Sequence, residues 1–206
     1  MEPSHYVSYT LVLWDVNDFP VPQDHHVKMF DSIVRKAVAS KAYRDVIDIQ
    51  GYCEKLTEEE EFDFCNARIR FYFAEKSYRL QRMLMDMLIF ARKFRGPGDV
   101  NIIIVAKDIP NVNTELFSVM ETLRRRGCKV FFVVPDGAPE SDFPPRNSAN
   151  FVWRWTSLFK GDSPTVVINT DQVGTSQVPQ KRQKTRKGVS RVLAKSVGNP
   201  AWINRM

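Results

Sequence analysis

Little in this sequence suits a membrane span, an export leader or a disulfide scaffold. No apolar run approaches the roughly 18–20 residues that cross a bilayer. The opening residues, MEPSHYVSYT, hold neither a basic segment nor an apolar stretch, so a secretory leader is not expected. Cysteine is scarce: Cys53, Cys65 and Cys128 form an odd set without a CxxC pair. That speaks for reduced, core-filling thiols and against a disulfide framework or a zinc site. Carboxylates stop altogether at Asp171. Beyond it lie eight of the 30 bases (Lys181, Arg182, Lys184, Arg186, Lys187, Arg191, Lys195 and Arg205), leaving 22 bases against 24 acids before it. The net charge of +6 therefore divides into −2 for the body and +8 for the end of the chain. The basic character belongs to a tail, not to a fold.

What remains is an ordinary globular composition, 43% hydrophobic and 26% charged, in a length of 206 residues that suits one domain and an appendage. Apolar, β-branched and aromatic runs predict strands at Tyr9–Asp15, Tyr43–Tyr52, Ile69–Phe73, Val100–Asp108 and Lys129–Pro135. Helical spacing predicts helices from Asp24 to Val38, after the Thr57/Glu60 capping box, over Asn113–Arg126 with Gly127 closing it, and around Ser148–Lys160. Ser77–Arg95 is the strongest helix, its predicted apolar stripe being Leu80, Leu84, Met87, Leu88, Ala91 and Phe94. Strands that are apolar throughout and separated by helices imply an α/β fold, with a central, mostly parallel sheet covered on both faces. The domain is expected over residues 7–162, with a basic, largely disordered tail over 163–206.

In such a sheet ligands bind outside the carboxyl ends of the strands, where strand order switches. Asp15 ends the first strand, Asp108 ends the strand beginning at Val100, and Glu115 lies near the start of the helix that follows. Asp86 lies mid-helix, read as sitting on the flank of the apolar stripe, with Arg82 four residues before it. Carboxylates gathered on one rim repel each other unless a cation neutralises them, and oxygen-only ligands suit Mg²⁺ or Mn²⁺. Singly, each acid has a plainer reading as a turn residue, a helix-start acid or half of a surface ion pair.

Four stretches in order carry a resemblance to a known family: LVLWDVNDFPVP (Leu11–Pro22), LMDMLIFA (Leu84–Ala91), IIIVAKD (Ile102–Asp108) with LFSVMETLRRRGCKVFFV (Leu116–Val133), and NSANFVWRWTSLFKG (Asn147–Gly161). They resemble the NYN domain, a PIN-like nuclease type, as found in plant limkain-type proteins related to meiosis regulator and mRNA stability factors. The resemblance implies a three-layer PIN-like fold and, in active members, Mg²⁺- or Mn²⁺-dependent cleavage of RNA in the regulation of gene expression. By position it assigns metal and catalysis to Asp15, Asp86 and Asp108. Glu115 takes the place of the second acid in the family's G-D-R-D-F loop, which here reads Lys107-Asp108-Ile109-Pro110-Asn111. Asn17 and Asp18 stand where the family has acid then amide, and Lys107 brings a cation beside the site; all three are candidate substrate contacts. Two outcomes are open, an endoribonuclease and a degenerate module that binds RNA or protein without cutting.

KRQKTRK (Lys181–Lys187) supplies a phosphate-binding arm through Lys181, Arg182, Lys184, Arg186 and Lys187, or a nuclear import signal, or only solubility. Trp153 and Trp155 are read as helical, with at least one in the core and stacking on RNA bases as the alternative; His25 and His26 as surface residues; Arg124–Arg126 as a helix end or a phosphate contact. A haloacid-dehalogenase-like phosphohydrolase would need a second acid two residues after Asp15, and Asn17 holds that place. The expected location is cytoplasm or nucleus, with peroxisomal association implied by the resemblance alone.

Overall fold

The alternation of fully apolar strands with amphipathic helices resolves into a single mixed sheet. The computed structural model describes residues 7–38, 44–93, 100–107, 109, 115–145 and 147–166. All fall within one unit, Met1–Thr170; of the tail expected over 163–206, residues 163–166 are described, and the basic heptad, in the unit Asp171–Met206, lies outside the described residues. In chain order the elements are β1 (Val7–Asp15), α1 (Val27–Ala37), β2 (Arg44–Cys53), α2 (Glu58–Asn66), β3 (Arg70–Phe73), α3 (Lys76–Lys93) and β4 (Val100–Val105). Then follow α4 (Glu115–Arg125), β5 (Lys129–Val134), β6 (Phe151–Arg154), α5 (Trp155–Lys160) and β7 (Thr165–Val166).

The strands lie in the order β3-β2-β1-β4-β5-β6-β7, the first six parallel and β7 antiparallel to β6. The two-residue period of a strand explains why β1 reads as an unbroken apolar run. Leu11 and Leu13 enter one core with Met83, Met87 and Phe90 of α3 and Leu116, Met120 and Leu123 of α4. Val12 and Trp14 enter the other, with Phe30 and Val34 of α1, Phe64 of α2 and Trp155 and Leu158 of α5. Both faces are thus covered by helices, as the composition of the strands demands.

Local signals set the helix ends. Thr57 and Glu60 form the expected reciprocal capping box, Glu60 N–H donating to the Thr57 hydroxyl (3.2 Å) and Thr57 N–H to the Glu60 carboxylate (2.8 Å). Gly127 closes α4 in the left-handed region at φ 90°, where a Cβ would be strained.

Two expectations are corrected. The segment 148–160 is not one helix: Phe151–Arg154 pairs with β5 as a parallel strand, and only Trp155–Lys160 is helical. Val152 points to one core and Trp153 to the other, the mark of a strand buried on both faces, so Trp153 and Trp155 are both core residues. The buried stripe of α3 is Arg79, Met83, Asp86, Met87 and Phe90. Leu80 and Leu84 lie on its flank and Leu88 is 43% exposed. Asp86 is therefore on the buried face itself. Two charged residues occupy core positions because each meets a partner there. Among the described residues, no helix is long and apolar enough to cross a membrane.

Candidate functional site

The chain builds outward from β1 to β2 and β3, then returns to lay β4, β5 and β6 on the other flank. The switch falls between β1 and β4, the place where an open α/β sheet leaves a crevice at its carboxyl rim. Asp15 ends β1 there, opposite Tyr52 of β2, while Trp14 lies opposite Val105 of β4. By strand parity Asp15 shares the face of Leu11 and Leu13, which α3 covers. α3 starts just past the carboxyl end of β3 and runs back beneath the sheet, so its first turn lies at this same rim.

That first turn carries Arg79. Its Nε donates to Asp15 Oδ2 at 2.7 Å, with the two side chains only 3% and 4% exposed. The other carboxylate oxygen, Oδ1, accepts the backbone N–H of Asp18 at 3.2 Å. Arg79 also donates to the Ala74 carbonyl (3.5 Å), tying the loop before α3 to β1. Burial raises the Asp15 pKa above the ordinary carboxylate value, with the Arg79 and Asp18 hydrogen bonds opposing that shift. Asp18 itself pairs with Lys76 at 3.5 Å. The exposed Asn17 accepts the Glu54 N–H at 2.8 Å, which pins the loop after β1 to the end of β2.

Asp86 lies seven residues after Arg79, about 10 Å further along the helix axis. Its Oδ2 accepts from Tyr52 Oη at 2.8 Å and from Arg82 Nε at 2.9 Å. Gln50 Oε1 also lies 2.9 Å from the Tyr52 hydroxyl, but that single proton is better given to the charged carboxylate. Burial, then the charge of Asp86, pushes the Tyr52 phenol far up, so it stays a neutral donor. Tyr72 stacks on Tyr52, Arg82 sits 4.7 Å from the Tyr72 ring, and Arg70 pairs with Asp48 at the outer side of this network.

The remaining candidates are spread out. Glu115 is exposed at the start of α4; Asp108 lies outside the described residues, as do Lys181, Arg182, Lys184, Arg186 and Lys187. Lys107 is half-buried with its Nζ 5.4 Å from the Phe19 ring. It lines two hollows on the carboxyl rim, one of about 340 Å³ with Phe19, Pro20, Pro22 and Trp155, the other of about 320 Å³ with Ile109, Phe117 and Ala138. Arg124–Arg126 close α4 beside the start of β5, at the opposite rim from Asp15, and cannot serve the same ligand. His25 meets the Phe159 ring edge-on at 5.0 Å.

Among the described residues, no group of three or more acid, histidine or cysteine side chains is placed to share a metal ion. The donor set at Asp15 does not fit Mg²⁺ or Mn²⁺: both of its oxygens already accept N–H groups, and the side chain is nearly out of contact with water. Sequence reasoning missed Arg79 and Tyr52. The signal was present, since 79, 83, 86, 87 and 90 follow helical spacing, and phasing α3 on Met83, Met87 and Phe90 brings Arg79 and Asp86 inside. In comparisons with known proteins, the chain matches no family model and no curated protein.

Proposed function

We propose that this chain is a PIN-like module of the NYN type, similar to the plant limkain class, that binds RNA without cutting it. The observation that carries this reading is the buried Asp15–Arg79 pair. An acid meant to hold a catalytic cation has to face a hydrated ion, and Asp15, hydrogen-bonded at both oxygens and paired with Arg79, is only 4% exposed. The altered sequence after Lys107 and the exposure of Glu115 agree with a site relieved of catalysis. RNA contact is assigned to the carboxyl rim around Lys107, Asn17 and Asp18 and to the basic heptad Lys181–Lys187, with a role in RNA stability and so in gene expression.

A second reading is a Mg²⁺- or Mn²⁺-dependent endoribonuclease using Asp15, Asp86, Asp108 and Glu115. It is favoured by the position of Asp15 at the switch in strand order. The two readings separate in one experiment: incubation of single-stranded RNA with Mg²⁺ or Mn²⁺ and the wild-type chain, Asp15→Asn or Asp108→Asn, with filter binding in parallel. The expected result is retained RNA and equal binding by all three proteins. Cleavage by the wild type that both substitutions abolish would establish the nuclease instead.

A further inference from the structure

Two of the acids nominated for cation binding, Asp15 and Asp86, and the neighbouring Asp18 are each met by a cation of α3. Lys76 pairs with Asp18 at 3.5 Å, Arg79 with Asp15 at 2.7 Å and Arg82 with Asp86 at 2.9 Å. The spacing of three residues sets these bases along one side of the helix that runs back from the rim. Arg79 is the member withdrawn from water, at 3% side-chain exposure, and its partner is equally withdrawn.

We infer that the Arg79 guanidinium stands in place of a divalent cation at Asp15, making the acid site complete in charge and closed to metal. The inference rests on the acid site of the proposed function and deepens it by naming the side chain responsible. A guanidinium offers directed N–H donors to carboxylate oxygens and stays charged at any working pH. Being part of the fold, it does not have to be captured from solution. A Mg²⁺ or Mn²⁺ ion would need near-octahedral oxygen ligands, usually with several waters retained. At Asp15 that requires both displacement of a 2.7 Å charge-assisted hydrogen bond and room for water where the side chain is 4% exposed. The second oxygen accepts the Asp18 N–H, so the loop after β1 anchors the carboxylate on that side and Arg79 is the group that closes the other.

The test uses the full chain as wild type, Asp15→Asn, Arg79→Ser, Arg79→Lys and the double variant Asp15→Asn/Arg79→Ser. Mn²⁺ binding is followed by electron paramagnetic resonance of the free ion, and thermal unfolding is recorded in EDTA and in MnCl₂. Wild type and Asp15→Asn are expected to bind Mn²⁺ alike. Arg79→Ser, which removes the charge and leaves room for a hydrated ion, is expected to gain about 3 °C or more in MnCl₂ over EDTA. Adding Asp15→Asn abolishes that gain, and Arg79→Lys, which keeps a cation in place, does not show it. Mn²⁺ binding by the wild type that Asp15→Asn removes overturns the inference, as does a folded Arg79→Ser that is indifferent to Mn²⁺. Should Arg79→Ser not fold, the wild type and Asp15→Asn comparison decides by itself. RNA cleavage that survives Asp15→Asn would sink the proposed function and leave this inference standing; Asp15-dependent Mn²⁺ binding without cleavage would do the reverse.

Discussion

At Asp15 and Arg79 two opposing effects share one pair of side chains. Desolvation outweighs attraction in the balance that sets the Asp15 pKa, the pattern of a buried ion pair that contributes little net stability yet cannot be halved. Arg79→Met, which strands a buried carboxylate, is expected to cost about 3–5 kcal/mol in urea unfolding. The double change Asp15→Leu/Arg79→Met, similar in volume and free of charge, is expected to recover most of that loss. A double variant no more stable than Arg79→Met would refute the account. The raised pKa also has a sign. Between the ordinary carboxylate value of 3.8 and the higher folded value, the native state binds more protons than the unfolded chain. Asp15 therefore contributes stability that is fully present below that window and lost as pH rises through it. Subtracting the stability curve of Asp15→Asn from that of the wild type isolates this fall; a rise with pH in the difference would contradict it.

At the scale of elements, turn chemistry and helix phase make different demands on a reader. Gly127 is legible and should behave simply: Gly127→Ala forces a Cβ into the left-handed region at φ 90° and is expected to cost about 1–2 kcal/mol, read as a lowered melting temperature. No atom lies within 4 Å of that added Cβ, so the penalty is one of backbone conformation and not of crowding. β1, β4 and β5 were readable because strands covered on both faces are apolar throughout. β6 was not, because four residues, Phe151–Arg154, run straight into a helix and are too few to show which period they follow. The phase of α3 was missed for a related reason. Periodicity counts apolar residues, while the buried face of α3 includes Arg79 and Asp86, whose burial depends on partners in β1 and β2 that are distant in sequence. Asp15 was found from its place at a strand end; what neutralises it could be seen only once the sheet and α3 were set against each other.

At the scale of the whole chain, charge and topology are divided between regions. The body to Asp171 is net −2 and the remainder +8, so the RNA binding proposed for this chain should be strongly electrostatic. If the five bases of Lys181–Lys187 each neutralise one phosphate, log K against log salt falls with a slope of about −3.5 on single strands. Removing that heptad should abolish most of the slope, and binding to RNA that is indifferent to salt would exclude this arm as the contact. Topology distributes the rest. The carboxyl rim carries Asp15, Lys107 and the two hollows, while Arg124–Arg126 face the opposite rim, so RNA held near Asp15 as proposed would have no second basic contact from α4.

The central position of β1 has a consequence for biosynthesis. Its first neighbour, β2, follows it closely in the chain, but its second, β4, begins only at Val100. At roughly 5–20 residues per second of translation, the stretch from Cys53 to Val105 takes a few seconds to emerge. During that interval the nascent chain exposes one bare hydrogen-bonding edge of a strand destined for the sheet interior, the kind of surface that recruits chaperones or stray β partners. Arrival of β4 closes that edge, and only then are both sides of the crevice that Asp15 borders in place.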